Sequence, residues 1–168
     1  AFFKNQHNID VHILHEVLSI NPEEKTVLVK NLSTDETFED QYDKLVISTG
    51  ARAVVPPIKG ADRPHVFTLR NVNDMKRIKG FIDTSQPKQA VIVGTGFIGL
   101  EMCENLKALG IEVTMVERLP QITPGLDSDM AVHVEKHIKK KGVKVLTEAS
   151  VVEITDKAVI LSEGEELA

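Results

Sequence analysis

The sequence predicts an α/β fold in which a doubly wound parallel sheet is joined to a small antiparallel β-meander. Three observations predict it. From Gln89 onward, apolar strand runs alternate with stretches of helical period; a glycine-rich turn joins the first of these strands to its helix; and residues 10–41 break into short alternating runs parted by turn residues. Alternating strands and helices imply parallel neighbours, because a parallel pair needs a crossover that brings the chain back to the same end of the sheet.

Residues 10–15 (DVHILH) alternate apolar and polar, and residues 17–20, 25–30 and 37–41 come next as short strand-like runs. Asn21-Pro22 and Ser33-Thr34-Asp35 part them, since Asn, Asp and Ser bond their own backbone and proline presets the bend. A small antiparallel meander is expected. Leu45-Val46-Ile47 is a further apolar run and ends in Ser48-Thr49-Gly50-Ala51, where glycine lets the backbone turn sharply or approach a ligand. Pro56-Pro57 excludes regular structure. Residues 66–69 are strand-like, and residues 71–83 place Met75, Ile78 and Ile82 at helical spacing behind Asn71, a good N-cap.

The polar turn at residues 85–88, with Pro87, marks the start of a nucleotide-binding core. Residues 90–93 form a buried-strand run, and Ile98, Met102, Leu106 and Leu109 make the apolar stripe of a helix that Gly110 can end. Residues 112–116 are the next strand, 126–141 the next helix with Gly142 behind it, and 143–146 a third strand. Residues 151–154 and 158–161 suggest a hairpin about Asp156-Lys157. A division near residue 70 is expected, with residues 1–70 and 71–168 serving different domains.

Composition excludes several functions. The 168 residues carry a formal charge of -5 and are 42% hydrophobic, enough for a packed core but without the basic stripe that nucleic-acid binding requires. Lys139-Lys140-Lys141 reads as a solvated helix end. No run reaches the roughly 18 apolar residues of a membrane span, and the opening AFFKNQHNID turns polar too soon for a signal peptide. A cytoplasmic protein with no membrane or nucleic-acid partner is expected. The single cysteine, Cys103, excludes an intramolecular disulfide and a thiolate zinc cluster. Ala1 in place of methionine suggests a processed chain, an engineered one or an excerpt of a longer one.

The chemistry concentrates in QAVIVGTGFIGLEMCENLKALGIEVTMVE, where Gly94, Gly96 and Gly99 form a GxGxxG directly after a strand and at the mouth of a helix. The first glycine permits the tight turn, the second lets a pyrophosphate reach the backbone, and the third lets the helix pack close on the strand. Free amides at the helix start, aided by its dipole, can then hold phosphate charge. Thr95, Phe97 and Ile98 complete this loop. The acid expected roughly 20 positions on is Glu117, at the end of the second strand, where its carboxylate can accept both ribose hydroxyls. An acid there repels a 2'-phosphate and favours NAD(H) over NADP(H). Arg118 beside it is either solvated or able to swing toward a 2'-phosphate. Glu101 is placed in the first helical turn, where the dipole stabilises it in any case, and Phe97 either walls a nicotinamide site or covers the sheet edge.

Other candidates are weaker. His133 and His137 have zinc-ligand spacing on one helix face, but no glutamate directly succeeds the first and no third ligand is evident, so no metal is expected. Cys103 sits mid-helix as a small buried hydrophobe.

In these blocks, together with VHILHEVLSI, YDKLVISTGA, PPIKG, VFTLRNVND and PGLDSDM, the chain resembles the pyridine nucleotide-disulfide oxidoreductases, and within them the branch of coenzyme A-disulfide reductases, NADH oxidases and NADH peroxidases. The resemblance implies a Rossmann-like nucleotide domain inserted into an FAD domain, with hydride passing from NADH to FAD and on to a small-molecule disulfide, oxygen or peroxide. Rubredoxin, ferredoxin or nitrite reductase acceptors, or a stand-alone nucleotide-binding regulatory module, are the alternatives. It implies that residues 1–70 are part of the FAD domain and residues 71–168 the NAD(P)-binding domain. Val17 and Thr49, Gly50 and Ala51 then correspond to backbone near FAD, Glu101 to a glutamate near nicotinamide and flavin, and Phe97 to the aromatic over the nicotinamide pocket. Thr95 stands where the family usually has glycine, a mild departure. The resemblance also implies that the FAD loop, the redox cysteine and a dimerisation domain lie outside these residues. No catalytic residue is therefore expected within them, and the longer protein is expected to be a homodimer.

Overall fold

The computed structural model describes residues 2–167, which form two compact units dividing after Gly50. In the first, a short helix α1 (Phe2–His7) precedes β1 (His15–Asn21), β2 (Thr26–Asn31) and β3 (Thr37–Gln41), an antiparallel sheet in the order β1-β2-β3. The expected meander is present. Asn side chains hold both turns: the Asn21 carbonyl oxygen accepts from the Glu23 and Glu24 amides at 3.2 Å, and that of Asn31 accepts from the Ser33 amide at 2.9 Å. A register shift between Val17 and Ser19 marks a bulge in β1.

One strand expectation in this unit does not hold, and a further apolar run takes no regular structure. Only His15 of residues 10–15 enters a strand, and Leu45-Val46-Ile47 is irregular. Residues 10–14 and 45–47 are exposed, Val46 to 85%, and apart from the Leu32 amide, which donates to the Leu14 carbonyl at 2.8 Å, no strand answers them among the described residues. Apolar alternation marks a sequence able to join a sheet, but a strand forms only where another strand answers its N–H and C=O groups. Helix α1 has no counterpart in the sequence pattern; it buries no side chain, and Lys4 within it pairs with Asp10 past its end at 2.6 Å.

The second unit opens with an irregular segment whose residues 66–69 are not a strand, contrary to expectation. It is tied down by long-range bonds. The Ile154 amide donates to the Lys59 carbonyl at 2.8 Å, Arg63 Nε donates to the Ile154 carbonyl at 2.9 Å, and the Arg63 guanidinium pairs with Asp156. These contacts explain why residues 51–70 pack within the second unit.

Helix α2 (Val72–Ser85) starts at a capping box: the Asn71 side chain accepts from the Asn73 and Asp74 amides, and the Asp74 carboxylate accepts from the Asn71 amide. Then come β4 (Gln89–Val93), α3 (Phe97–Ala108), β5 (Glu112–Val116), α4 (Ser128–Lys140) and β6 (Lys144–Leu146). The three strands are parallel, in the order β4-β5-β6, with Val93 opposite Val116 and Val116 opposite Leu146. This is the predicted α/β unit. The tail forms β7 (Val151–Ile154), β8 (Val159–Leu161) and β9 (Glu166–Leu167), the expected hairpin extended by one short strand.

Strand side chains alternate between faces, and both faces of the parallel sheet are covered. Val113 and Met115 of β5 pack with Cys103, Leu106, Ile111 and Val143 on the helical side. Val116 of the same strand packs with Leu161 and Leu167 of the β7–β9 sheet on the other. A parallel sheet reads as continuous apolar runs for this reason.

Gly60 joins the irregular segment to β7. Its φ is +82°, and a Cβ there would overlap the Ile154 carbonyl oxygen. Gly60→Ala is expected to lower stability by about 1 to 3 kcal/mol, measured by urea unfolding. An unchanged midpoint would show that this approach is not needed.

Candidate functional site

The whole connection between β4 and α3 is residues 94–96, so the geometry of the turn rests on very few atoms. Gly94 has a φ of +99°, and its N–H donates to the Val116 carbonyl at 2.9 Å, which fixes the turn to the end of β5. A Cβ on Gly99 would overlap the Gly94 carbonyl oxygen and touch Ile92, so the helix rests directly on the strand end. Gly96 is the helix N-cap and differs in kind. A Cβ built there meets nothing within 4 Å, and no side chain caps the first amides of α3.

Glu117 comes directly after β5 and turns its carboxylate back to the loop. Oε2 accepts from the Thr95 amide at 3.0 Å and from the Thr95 hydroxyl at 2.8 Å, while Oε1 accepts from the Leu119 amide at 3.0 Å. The backbone of Glu117 is fixed as well: its N–H donates to the Leu146 carbonyl at 2.8 Å and its carbonyl accepts from the Ala149 amide at 2.9 Å. Glu117 is buried and Thr95 wholly so. Desolvation, the largest single influence, pushes the carboxyl pKa up, but the bonds from Leu119 and from the Thr95 hydroxyl and amide, with the nearby Arg118 N–H, together bring it below its ordinary value. An ionised carboxylate offers roughly four acceptor positions. Three are filled by the Thr95 and Leu119 donors, so about one remains where two ribose hydroxyls were expected.

Thr123 braces the loop from behind, its amide donating to the Thr95 carbonyl at 3.1 Å. Its φ is +45°, its side chain is buried, and its hydroxyl has no partner among the described residues. A β-branched residue in the left-handed region is strained, and such strain persists only where neighbours hold it.

The structure thus brings Gly94, Thr95, Gly96, Phe97, Ile98, Gly99 and Glu117 together. Phe97 and Ile98 are exposed at 69% and 57%, and with Val93 they leave an apolar surface at the mouth of the turn. Arg118 is exposed and makes no ion pair among the described residues. The placement of Glu101 needs correction: α3 begins at Phe97, so Glu101 lies in its second turn, where little dipole stabilisation remains. Val17 lies exposed on β1 opposite Val29, and Thr49 and Gly50 are irregular and exposed, with Gly50 at a φ of +76°. The Ala51 carbonyl accepts from Arg70 Nε at 3.3 Å. Cys103 is buried against the sheet, and desolvation raises its thiol pKa although Lys107 opposes this. His133 and His137 are exposed on α4, and no group of three or more His, Cys, Asp or Glu side chains gathers among the described residues.

Sequence reasoning missed the part played by Thr95, whose side chain faces the acid, and that of Thr123. The GxGxxG pattern leaves its second position open, and a positive φ at threonine has no sequence signal.

A parallel strand, a glycine turn, a helix and an acid at the end of the next strand define the class of unit that binds dinucleotides. Comparison with known proteins carries the assignment further. Residues 1–168 match the family described as pyridine nucleotide-disulphide oxidoreductase. The chain is 38% identical over 162 residues to the coenzyme A disulfide reductase of Staphylococcus haemolyticus, covering 96% of this chain and 36% of that protein. It is 40% identical over 157 residues to the NADH oxidase of Methanocaldococcus jannaschii, covering 92% and 35%. The crystal structure of reduced Bacillus anthracis CoADR-RHD superposes with a TM-score of 0.86 at 42% identity, covering 98% of this chain and 30% of that one. The chain belongs to the pyridine nucleotide-disulphide oxidoreductase family and spans about a third of the length of the curated relatives it matches.

The Glu117 bonds predict an acid dependence. A carboxylate whose folded-state pKa is depressed contributes stability that is complete above its unfolded-state value and is lost as pH falls through the folded-state value. Urea midpoints measured stepwise from neutrality through the glutamate range should therefore fall more steeply in the unmutated chain than in Glu117→Gln. Parallel curves would show that these bonds do not favour the anion.

Proposed function

We propose that residues 94–99 and Glu117 bind NAD(H) in preference to NADP(H), and that they dock it as hydride donor to FAD in a flavoprotein reductase. The acceptor would be a small-molecule disulfide, as in coenzyme A disulfide reductases, or oxygen or peroxide. In this proposal residues 71–168 serve the nicotinamide nucleotide and residues 1–70 belong to the FAD-binding part. The observation that carries it is the open space before Gly96, at the uncapped start of a helix and beside a buried anion. Uncapped amides and the helix dipole suit a pyrophosphate, and the missing Cβ gives it room.

The bound nucleotide supplies the hydride; the chain binds, orients and selects. Gly96 admits the pyrophosphate, the remaining acceptor position of Glu117 takes a ribose hydroxyl, and its charge repels a 2'-phosphate. Phe97 and Ile98 offer an apolar wall for the nicotinamide end, with Glu101 one turn further along α3. The names of the relatives support both the nucleotide and the acceptor class.

Titration of the chain with each nucleotide tests this. NADH should bind more tightly than NADPH, and Glu117→Gln should narrow the gap by on the order of tenfold by removing the like-charge repulsion. Equal affinities in the unmutated chain would refute the role of Glu117. Gly96→Val should abolish binding with an unchanged circular dichroism spectrum, because its side chain fills the space kept for phosphate. Binding retained in that variant would make the turn a structural element only.

A further inference from the structure

The second position of the glycine loop contributes no side chain to the usual account of such turns, yet in this chain it places a hydroxyl against the acid. Thr95 is wholly buried, so its side chain has no route to a nucleotide in front of the loop. Its carbonyl is held by the Thr123 amide, and its amide and hydroxyl both end on Glu117 Oε2. Among the described residues no other donor reaches that oxygen. With one bond from Thr95, the carboxylate could still turn about its side-chain torsions. With two bonds on Oε2 and the Leu119 amide on Oε1, it has one position.

We infer that Thr95 is a positioning residue whose hydroxyl fixes the Glu117 carboxylate at the loop and so sets how strongly the site prefers NADH to NADPH. This rests on the nucleotide site proposed above. A pinned anion discriminates in two ways. Its free acceptor position stands ready for a ribose hydroxyl without ordering on binding, and its charge cannot move aside when a 2'-phosphate arrives. Removing the hydroxyl leaves the anion in place but lets it move. NADH then loses a prearranged acceptor, and NADPH meets a charge that can retreat.

Thr95→Val keeps the branched shape and puts a methyl in place of the hydroxyl; Thr95→Ser keeps the hydroxyl and removes a methyl. Dissociation constants for NADH and NADPH, measured on the full chain and both variants, decide the matter. The expectation for Thr95→Val is weaker NADH binding with NADPH binding undiminished. The preference should then shrink by on the order of tenfold, the equivalent of one hydrogen bond to a charged group, while Thr95→Ser retains it. A loss of packing alone would weaken both nucleotides alike. In a Glu117→Gln background, Thr95→Val should change the preference no further, because the hydroxyl acts through the carboxylate.

An unchanged preference in Thr95→Val, a parallel loss of both affinities, or additive effects in the double variant would overturn the inference. Should Thr95→Val fail to fold, Thr95→Ala against Thr95→Ser makes the same comparison, with the same outcomes. Failure of the unmutated chain to bind either nucleotide would overturn the site itself, a result distinct from any of these.

Discussion

A buried carboxylate meets the ends of several segments at one point. Glu117 accepts from Thr95 of the glycine turn and from Leu119 of the segment beyond β5, and its backbone bonds to Leu146 at the end of β6 and to Ala149 after it. Burying an anion costs several kcal/mol unless donors replace the lost water. Here three donors from Thr95 and Leu119 reach the carboxylate, and the acid stays ionised. The turn, the strand ends and the approach to β7 are thereby referred to one charged group, and displacing it would disturb the surface on which a phosphate would sit. Gly94 adds a backbone bond to Val116 that fastens the same turn one residue earlier.

The rest of the second unit supports that point. The parallel sheet is short, three strands wide, and apolar on both faces, so helices alone on one side would leave Val91 and Val116 in water. The β7–β9 sheet covers them. Residues 51–70, irregular as they are, bind to that sheet through Lys59, Arg63 and His65, the last with its Nε2 at 3.1 Å from the Thr155 carbonyl oxygen. Residues 51–70 are thereby tied to the sheet that covers the strand face, while Phe97 and Ile98 stay exposed at the mouth of the turn. In the proposal above, these two side chains wall the nicotinamide end of the nucleotide.

Much of this was legible in the sequence, for reasons that differ by element. The β4, α3, β5, α4 and β6 series announced itself because each piece carries its own period and its own stop, and local signals agree with tertiary packing there. The Asn71 cap and the meander turns were legible because asparagine bonds its own neighbourhood. Residues 10–14 and 66–69 have a strand-like pattern but are irregular, because strand formation depends on a partner, which no local pattern can supply. Helix α1 was missed because six residues without a buried face give no period to detect. In the site, glycine spacing located the turn and counting located Glu117, but neither could tell where the carboxylate points. That depends on donors from Thr95 and Leu119, residues whose types do not advertise the role.

A nucleotide lying on the start of α3, beside the acid at the end of β5, would perturb a small and specific set of amides. Backbone amide chemical shifts of the chain, monitored by NMR during titration with NADH, therefore test the site most directly. Saturable shifts concentrated on the amides of residues 95–100 and 117–119 are expected. Saturable shifts centred elsewhere, with these amides unmoved, would contradict the site.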